Sequence, residues 1–185
     1  MEDRRKAKEN CMEAEIETED LFLKKGKFDD WKNLFENLWR YEESARYMLW
    51  TTIKTEDEAK QRIKRVIEWQ KNHLEYLVYE KKSRQAIGFA GMEEIKMGVY
   101  EDTGIAIGPK FAGQGYGKQI LMALVNDCFL IRRAEKFICS CRSENIASKR
   151  MQMSCGFEYC YSEKRIDRRN GREYILEFYE LLKTN

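Results

Sequence analysis

The sequence has very few of the residues that build metal sites, linkers and membrane spans. Pro109 is the only proline in 185 residues, which excludes a proline-rich linker. With a single histidine, His73, and six cysteines that form no C-x-x-C pair, we expect reduced core thiols and no zinc site. The longest apolar stretch, Ile120 to Val125, is far too short to span a bilayer, and the charged start Met1-Glu-Asp-Arg-Arg-Lys contains no apolar signal segment. The sequence therefore predicts no metal, no membrane partner and a cytoplasmic location.

The chain also lacks an excess of either charge. Charged residues make up 36% of it, yet 34 basic and 32 acidic side chains leave a net charge of only +2. This balance gives no electrostatic reason to expect nucleic acid as a partner. With 43% hydrophobic residues, the chain is long enough to bury the core of one domain, which we place at residues 15–185. Residues 1–14 are charged and aperiodic, and we expect a flexible extension there.

The hydrophobic periodicity predicts one α/β domain in which helices and strands are interspersed. Strands are expected at residues 16–24, 74–80, 85–94, around Ile105, and at 136–141, 157–161 and 174–179. Helices are expected at residues 28–39, from the capping box Thr55-Glu-Asp-Glu58 onward, at 117–131, and between Ser143 as N-cap and Gly156 as the closing glycine.

The most informative segment runs from Thr103 to Ile120. It combines a short apolar strand, a Gly-Pro stop, a turn with glycine at alternate positions and the start of an amphipathic helix. Such a turn presents unpaired N–H groups at the positive end of a helix dipole, an arrangement that binds phosphate. We expect Gly113, Gly115 and Gly117 to allow φ > 0 and close approach of an anion, with Lys118 adding a positive charge. Glycines alone are equally compatible with a tight loop that binds nothing.

Two common phosphate-binding loops do not fit this segment. A dinucleotide fingerprint requires G-x-G-x-x-G, whereas Gly113-Gln-Gly115-Tyr-Gly117 has the spacing G-x-G-x-G. A nucleoside-triphosphate loop requires G-x-x-x-x-G-K-[ST]; here Ala112 occupies the first glycine position and Gln119 the hydroxyl position. The turn is therefore not predicted to bind either class of nucleotide.

The turn resembles the acyl-CoA loop of the GNAT superfamily of N-acetyltransferases, [Q/R]-x-x-G-x-[G/A]. It reads Ala112-Gly113-Gln114-Gly115-Tyr116-Gly117, with Ala112 in place of Gln or Arg. The block from Asn145 through Ser148 to Gly156-Phe157 is similar to the family's N-x-x-[AS]…G-F segment. The stretch Ile16-Glu-Thr18-Glu-Asp-Leu21-Phe-Leu23-Lys24 resembles the first strand of the ribosomal-protein N-terminal acetyltransferase-like branch (the RimJ/RimL type). The three motifs occur in the order and spacing of that family.

The resemblance implies a GNAT fold: a central mixed, mostly antiparallel twisted sheet of about seven strands, flanked by helices and containing a splayed central strand pair. It also implies that acetyl-CoA is the cofactor. The backbone of Ile105, Ala106 and Ile107 would pair with the pantetheine arm, and Asn145 and Ser148 would bind the same arm. The loop from Ala112 to Lys118, with Gln114 and Tyr116 in it, would hold the pyrophosphate.

The resemblance places an acidic residue, Asp102, just before the pantetheine-binding stretch, beside Glu101. We expect one of these two carboxylates to help deprotonate the amine, either with a raised pKa or through a water. Glu93 and Glu94 are competitors, and all four side chains are equally compatible with a solvated acidic edge. In many family members a tyrosine protonates the departing thiolate of the cofactor, and this chain has Gln152 at that position. Solvent or Tyr116 would then have to supply the proton.

Two classes of function remain open from the sequence. The first is an enzyme that acetylates a primary amine, either the α-amine of a protein N-terminus or a small molecule, by direct attack in a ternary complex. The second is a catalytically degenerate acyl-CoA sensor or interaction protein, which Ala112 and Gln152 favour slightly. A homodimer is compatible with the family. Nothing in the sequence identifies the acceptor.

Overall fold

The computed structural model describes residues 15–183, so the extension predicted for residues 1–14 lies outside the described part. The strands are β1 (Ile16–Glu17), β2 (Leu21–Lys24), β3 (Leu74–Glu80), β4 (Ala86–Lys96), β5 (Val99–Ile107), β6 (Lys136–Arg142), β7 (Glu158–Ile166) and β8 (Glu173–Leu182). The helices are α1 (Asp30–Leu34, continued by a π-helical turn over Phe35–Trp39), α2 (Glu42–Ala45), α3 (Glu56–Gln70), α4 (Tyr116–Asn126, continued by a π-helical turn over Asp127–Ile131) and α5 (Ile146–Ser154). A single 3₁₀ turn, Pro109–Phe111, joins β5 to the glycine loop.

Within residues 15–183 the strands form one eight-stranded sheet, in the order β1-β2-β3-β4-β5-β6-β8-β7. Neighbouring strands are antiparallel with one exception, the parallel pair β5 and β6 at the centre. The predicted mixed, mostly antiparallel sheet flanked by helices is confirmed, with eight strands where about seven were expected. The additional strand is β1, which contains only two residues.

The sheet buries both of its faces, because alternate residues of β3 belong to different hydrophobic clusters. Tyr76 and Val78 pack with α4 and with residues of β6. Leu77 and Tyr79 point to the opposite face and pack with α1 and α3. This arrangement leaves the ends of the central strands, and the gap between them, as the place where a ligand can reach the backbone.

The segment from Ile16 to Lys24 differs from its prediction as one strand. It forms two short strands, since the Thr18 N–H donates to Leu21 O at 2.9 Å and the Thr18 Oγ1 accepts from the Leu21 N–H at 3.0 Å. The Thr18 hydroxyl also donates to Gln119 Oε1 on α4 at 2.8 Å. A threonine side chain can close a turn by itself. The alternation of apolar and polar residues therefore runs on through a turn and does not reveal it.

Helix termini show one confirmed prediction and one error. Thr55 and Glu58 form the expected capping box at the start of α3. The N-cap of α5 is Asn145, not Ser143: Asn145 Oδ1 accepts from the Ser148 N–H at 3.2 Å. Both residue types cap helices well, so composition alone did not distinguish between them. Gly156 ends this helix with φ +89°, as predicted for a closing glycine.

Candidate active site

The site is built around a fork between β5 and β6. The two strands pair only over Val99–Glu101 and Lys136–Ile138, and from there β5 remains paired with β4 alone. The register of β4 against β5 shifts at this point, with Thr103 as the extra residue and Gly104 at φ +119°. A bulge of this kind bends and twists the strand that carries it, which turns β5 away from β6. The splayed central strand pair predicted from the sequence is therefore present.

Beyond the fork, β5 exposes backbone groups toward the gap. Gly108 donates its N–H to Ile87 O on β4 at 2.8 Å. Because successive residues of a strand direct their backbone groups to opposite edges, the N–H groups of Ile105 and Ile107 face the gap. The N–H of Ala106 faces β4, so only two of the three residues predicted to pair with a pantetheine arm have their donors directed there.

The glycine loop has the geometry of an anion cradle. Gly113 and Gly115 adopt φ +78° and +81°, and a Cβ added at either position would meet no atom within 4 Å. The space in front of these two residues is therefore open. Helix α4 begins at Tyr116, so the N–H groups of its first turn lack intrahelical acceptors and point toward this space. These features fit a pyrophosphate. The N–H of Ala112 is less available to an anion, since it already donates to Pro109 O at 3.2 Å.

Gly117 does not have the role expected from the sequence. It lies inside α4 without a positive φ, and a Cβ there would stand 2.7 Å from Met151 Sδ on α5. Glycine at this position allows α4 and α5 to approach each other closely. The expectation that three glycines allow φ > 0 in the turn holds for Gly113 and Gly115 and is wrong for Gly117.

The side chains around the glycines point in different directions. Tyr116 is buried, with 8% of its surface exposed, and its hydroxyl donates to Glu80 Oε1 at 2.8 Å. This hydrogen bond raises the pKa of Tyr116 to about 12. Tyr116 can therefore offer a ligand its backbone N–H, but its hydroxyl is turned into the core and is not available as an acid. Gln114 and Lys118 are exposed at the mouth of the loop.

Asn145, Ser148 and Asp102 come together in one cavity of about 280 Å³ at the fork. Gln152 lies beside them, with only 2% of its surface exposed, and donates from Nε2 to Ser148 Oγ at 3.1 Å. Gln152 stands at the position that the sequence analysis matched to a tyrosine in many family members. A neutral amide therefore lies against Ser148 at this position. Met151 and Leu121 form the apolar wall toward α4 and α5.

Asp102 is the carboxylate that the structure brings into the cavity. Its Oδ1 accepts a hydrogen bond from the backbone N–H of Ser140 on β6 at 3.0 Å. Burial raises the pKa of the Asp102 carboxyl from 3.8 to about 7, against the opposing effect of the Ser140 N–H; the charge of Glu101 raises it further. An acid with this pKa is half ionised near neutral pH, which suits a residue that accepts a proton.

Glu101 points to the other face of the sheet and does not line this cavity. It stands directly opposite Glu93 on β4. Burial, followed by the charge of Glu93, raises the pKa of Glu101, while Arg165 opposes the shift. Glu101 and Glu93 therefore form part of an acidic edge outside the cavity.

A cluster that sequence analysis missed closes the opposite side of the cavity. Asp167, with 1% of its surface exposed, accepts from Arg142 Nη2 and from Arg169 Nη2, each at 2.7 Å. Arg169 also donates to the carbonyl oxygens of Ala45, Trp50 and Arg46, at 2.9, 3.2 and 3.4 Å. The β7–β8 turn thus holds the segment 46–50, which carries the cavity residues Tyr47, Met48 and Leu49. No local sequence signal reveals the contacts of Arg169 with the segment 45–50, because these partners are more than 110 residues apart.

The remaining expectations concern metals, thiols and membranes. Within residues 15–183, no group of three or more His, Cys, Asp or Glu side chains could hold a metal ion. Four cysteines are buried and free, and Cys160 is exposed and free; these are Cys128, Cys139, Cys141, Cys155 and Cys160. In the same part of the chain no helix is both long and apolar enough to cross a membrane.

Comparisons with known proteins bear on this site. A family model described as an acetyltransferase (GNAT) domain matches residues 20–158. The GNAT-family acetyltransferase from Bacillus anthracis has a TM-score of 0.79 at 19% identity, over 91% of this chain and 98% of that one. A putative ribosomal-protein-serine acetyltransferase from Vibrio cholerae has a TM-score of 0.74 at 22% identity, over 92% and 98%.

A third solved structure is RimL, the ribosomal L7/L12 alpha-N-protein acetyltransferase in complex with coenzyme A. It has a TM-score of 0.75 at 18% identity, over 91% of this chain and 98% of that one. A comparison with curated proteins found no match. These likenesses show the fold. The family model covers most of the chain, and the glycine cradle and the open edge of β5 fit the cofactor. The chain therefore belongs to the GNAT acetyltransferase family, as an N-acetyltransferase whose cofactor is acetyl-CoA.

Proposed function

We propose that the protein acetylates a primary amine, either the α-amine of a peptide or protein N-terminus or that of a small molecule, by direct attack in a ternary complex. One observation carries this proposal: Asp102, a carboxyl group with a pKa raised to about 7, lines a cavity at the fork between β5 and β6. The same cavity is reached by the open edge of β5, where a thioester carbonyl would find backbone donors.

The chain's own residues would hold acetyl-CoA at two places. The N–H groups at the start of α4, framed by Gly113 and Gly115, would bind the pyrophosphate. The N–H groups of Ile105 and Ile107, with Asn145 and Ser148 on the facing helix, would bind the pantetheine arm. When bound there, acetyl-CoA supplies an acetyl group activated as a thioester.

Asp102 would remove the proton of the acceptor amine, directly or through one water. An amine attacks only when it is neutral, and a base with a pKa near the working pH combines ionisation with proton affinity. The Ser140 N–H donates to Oδ1 of Asp102, and the Cys139 thiol and the Gly104 N–H also interact with this carboxyl group, which fixes the side chain at the fork.

Within the cavity wall we assign no side chain as the acid for the departing thiolate. Gln152 carries an amide, which cannot protonate it, and the Tyr116 hydroxyl is committed to Glu80 in the core. A thiolate is a good leaving group, so solvent suffices as the proton source. Ser148 is assigned to binding the pantetheine arm.

The test is acetyl-CoA-dependent thiol release with a panel of amines that includes free N-terminal peptides. Amine-dependent release of stoichiometric CoA and acetylated product would support the proposal. Binding of acetyl-CoA without turnover of any amine would contradict it and favour an acyl-CoA sensor. The matched blocked peptides, acetylated at their N-terminus, control for hydrolysis of the thioester.

A further inference from the structure

A second cavity adjoins the mouth of the first, on the face of the sheet covered by α3. It has a volume of about 790 Å³ and lies between α3 and the segment 49–53. Leu49, with 79% of its surface exposed, lines both cavities. We call this second cavity the Arg62 groove, after the side chain that dominates it.

Arg62 is a partly buried cation that has no hydrogen-bond acceptor among the described residues. Its guanidinium lies 4.8 Å from the ring centroid of Trp39 and 4.5 Å from that of Trp50. Among residues 15–183, no carboxylate lies within ion-pair distance of it, and it makes no hydrogen bond. Burial lowers the pKa of Arg62 to about 10, so the group is still protonated at neutral pH. A desolvated guanidinium that keeps its charge is costly unless an acceptor binds it.

A second donor in the groove is also without an acceptor. The indole Nε1 of Trp50 is buried and has no hydrogen-bond partner among the described residues. Trp50 lines the groove together with Arg62. The groove therefore contains two hydrogen-bond donors that lack an acceptor among the described residues. The contacts of the guanidinium with the rings of Trp39 and Trp50 hold it in place.

The other charges of the groove do not neutralise Arg62. Arg65 adds a second positive charge and is the next largest cause, after burial, of the lowered pKa of Arg62. Glu58 lines the groove, but its Oε2 accepts from the N–H groups of Lys54 and Thr55 at the start of α3. Glu75 also lines the groove, and its charge raises the pKa of Arg62, but less than burial and Arg65 lower it.

We propose that the Arg62 groove binds a carboxylate of the acceptor while the acceptor's amine lies in the cavity of Asp102. This inference rests on the proposed function and specifies the substrate class: an amine whose own chain carries an acidic group a short distance away, such as a peptide with an acidic residue near its N-terminus. A carboxylate matches the fork of the guanidinium with two parallel hydrogen bonds. Leu49, shared by the two cavities, marks the path between them.

The experiment compares pairs of peptides that have a free α-amine and an amidated C-terminus. Each pair differs only in carrying Glu or Gln at one position from the second to the fifth residue, so that the tested side chain is the only carboxylate. The ratio of kcat/KM for Glu over Gln is measured with wild type, Arg62→Gln, Arg62→Lys and Lys64→Gln. Lys64→Gln removes one positive charge from the same helix at an exposed position outside the groove. Peptide affinity for the CoA-bound enzyme is measured by calorimetry in parallel.

At the best position, wild type should prefer the Glu peptide by about tenfold or more, the worth of one charge-assisted hydrogen bond. The ratio should fall to about one in Arg62→Gln, be intermediate in Arg62→Lys, which keeps the charge without the fork, and remain high in Lys64→Gln. A ratio near one at every position in wild type, or a ratio that survives in Arg62→Gln, would overturn the inference.

Two further outcomes separate this inference from the proposed function. Equal turnover of both peptides leaves amine acetylation standing and contradicts the carboxylate site. Absence of all turnover contradicts the proposed function, and the calorimetric Glu/Gln ratio then decides alone whether the groove binds carboxylates. If Arg62→Gln does not fold, Trp50→Phe removes the indole donor and should lower the ratio several-fold; an unchanged ratio would count against the site.

Discussion

Asp102 and Ser140 are joined across the fork of the sheet: the carboxylate of one accepts the backbone N–H of the other at 3.0 Å. The hydrogen bond lies just past Glu101 and Ile138, the last residues at which β5 and β6 pair. A side chain therefore replaces main-chain pairing at the point where the strands separate. Asp102 both satisfies a backbone donor that the splay would leave unpaired and presents a carboxyl group of raised pKa to the cavity.

The first prediction concerns stability, because desolvation raises the pKa of the Asp102 carboxyl group in the folded protein. Its pKa is about 7 when folded and 3.8 when unfolded, so the folded state binds the proton more tightly. The resulting stabilisation is fully present below pH 3.8 and is lost as the pH rises through 7. Asp102→Asn keeps an oxygen for the Ser140 N–H but cannot ionise.

We expect Asp102→Asn to raise the Tm by several degrees more at pH 8 than at pH 5, because more of the stabilisation of the wild type is lost at the higher pH. Thermal unfolding at the two pH values measures the difference. An equal Tm for variant and wild type at pH 8 would show that the carboxylate of Asp102 is not desolvated in the folded protein.

A second prediction tests the glycine cradle. Gly115→Val places a β-branched side chain at φ +81° and in the space in front of α4, so CoA affinity should fall by about tenfold or more. Gly171→Val is the matched control, since Gly171 has φ +72° with equally open surroundings in the turn between β7 and β8, away from the loop. Calorimetry with CoA on folded protein should show a loss in the first variant only. Equal affinities in both would mean that the loop binds nothing.

A substitution of Gly117 should affect stability, in contrast to the loss of CoA affinity expected for Gly115. A Cβ there meets Met151 Sδ at 2.7 Å, so Gly117→Ala should destabilise the packing of α4 against α5. The double variant Gly117→Ala with Met151→Ala should recover much of the lost Tm, because it removes the obstructing atoms. Failure of that rescue would show that the glycine is required for a reason other than packing.

A third prediction concerns the contacts of Arg169. Arg169→Ala removes hydrogen bonds to three carbonyl groups of the segment 45–50 and to Asp167. Because this segment lines the cavity, the KM for the amine should rise several-fold, with a smaller change in the affinity for CoA. Arg168→Ala is the control, because Arg168 is exposed and makes none of these contacts. A KM that rises equally in both variants would indicate an effect of net charge rather than of positioning.

A fourth prediction follows from the expected absence of a metal. The reaction assigned to Asp102 needs no Lewis acid, and residues 15–183 contain no cluster of metal-ligating side chains. Prolonged incubation with a chelator, followed by its removal, should leave kcat unchanged. A loss of activity that a divalent cation restores would contradict this prediction.

Much of this structure follows from local patterns, and the exceptions have physical causes. The capping box at Thr55 and the positive φ at Gly113 depend on residues close in sequence, so they were predictable. The role of Gly117 depends on Met151, which packs against it from another helix. The turn at Thr18 is stabilised by a hydrogen bond to Gln119 on α4. The alternating pattern of a strand contains no information about such a distant partner.

The site shows the same division. The glycine loop, Asp102, Asn145 and Ser148 were named from motifs, and the structure gathers the last three into one cavity. Arg169 and Arg62 could not be named, because their importance comes from what surrounds them in space. Arg169 reaches carbonyl groups more than 110 residues away, and Arg62 is distinguished only by burial between two indole rings. Neither condition leaves a local trace in the sequence.

The central claim, that Asp102 accepts the proton of the amine, is tested most directly by the pH–rate profile of kcat for wild type, Asp102→Asn and Glu101→Gln with one fixed amine. Wild type should show an acidic limb with an apparent pKa near 7, the value to which burial raises the carboxyl. Asp102→Asn should lose that limb and about 10²-fold in kcat, a typical general-base contribution, while its affinity for CoA hardly changes. Glu101→Gln, on the opposite face of the sheet, should change kcat far less. Full kcat and an unchanged acidic limb in Asp102→Asn would contradict the account.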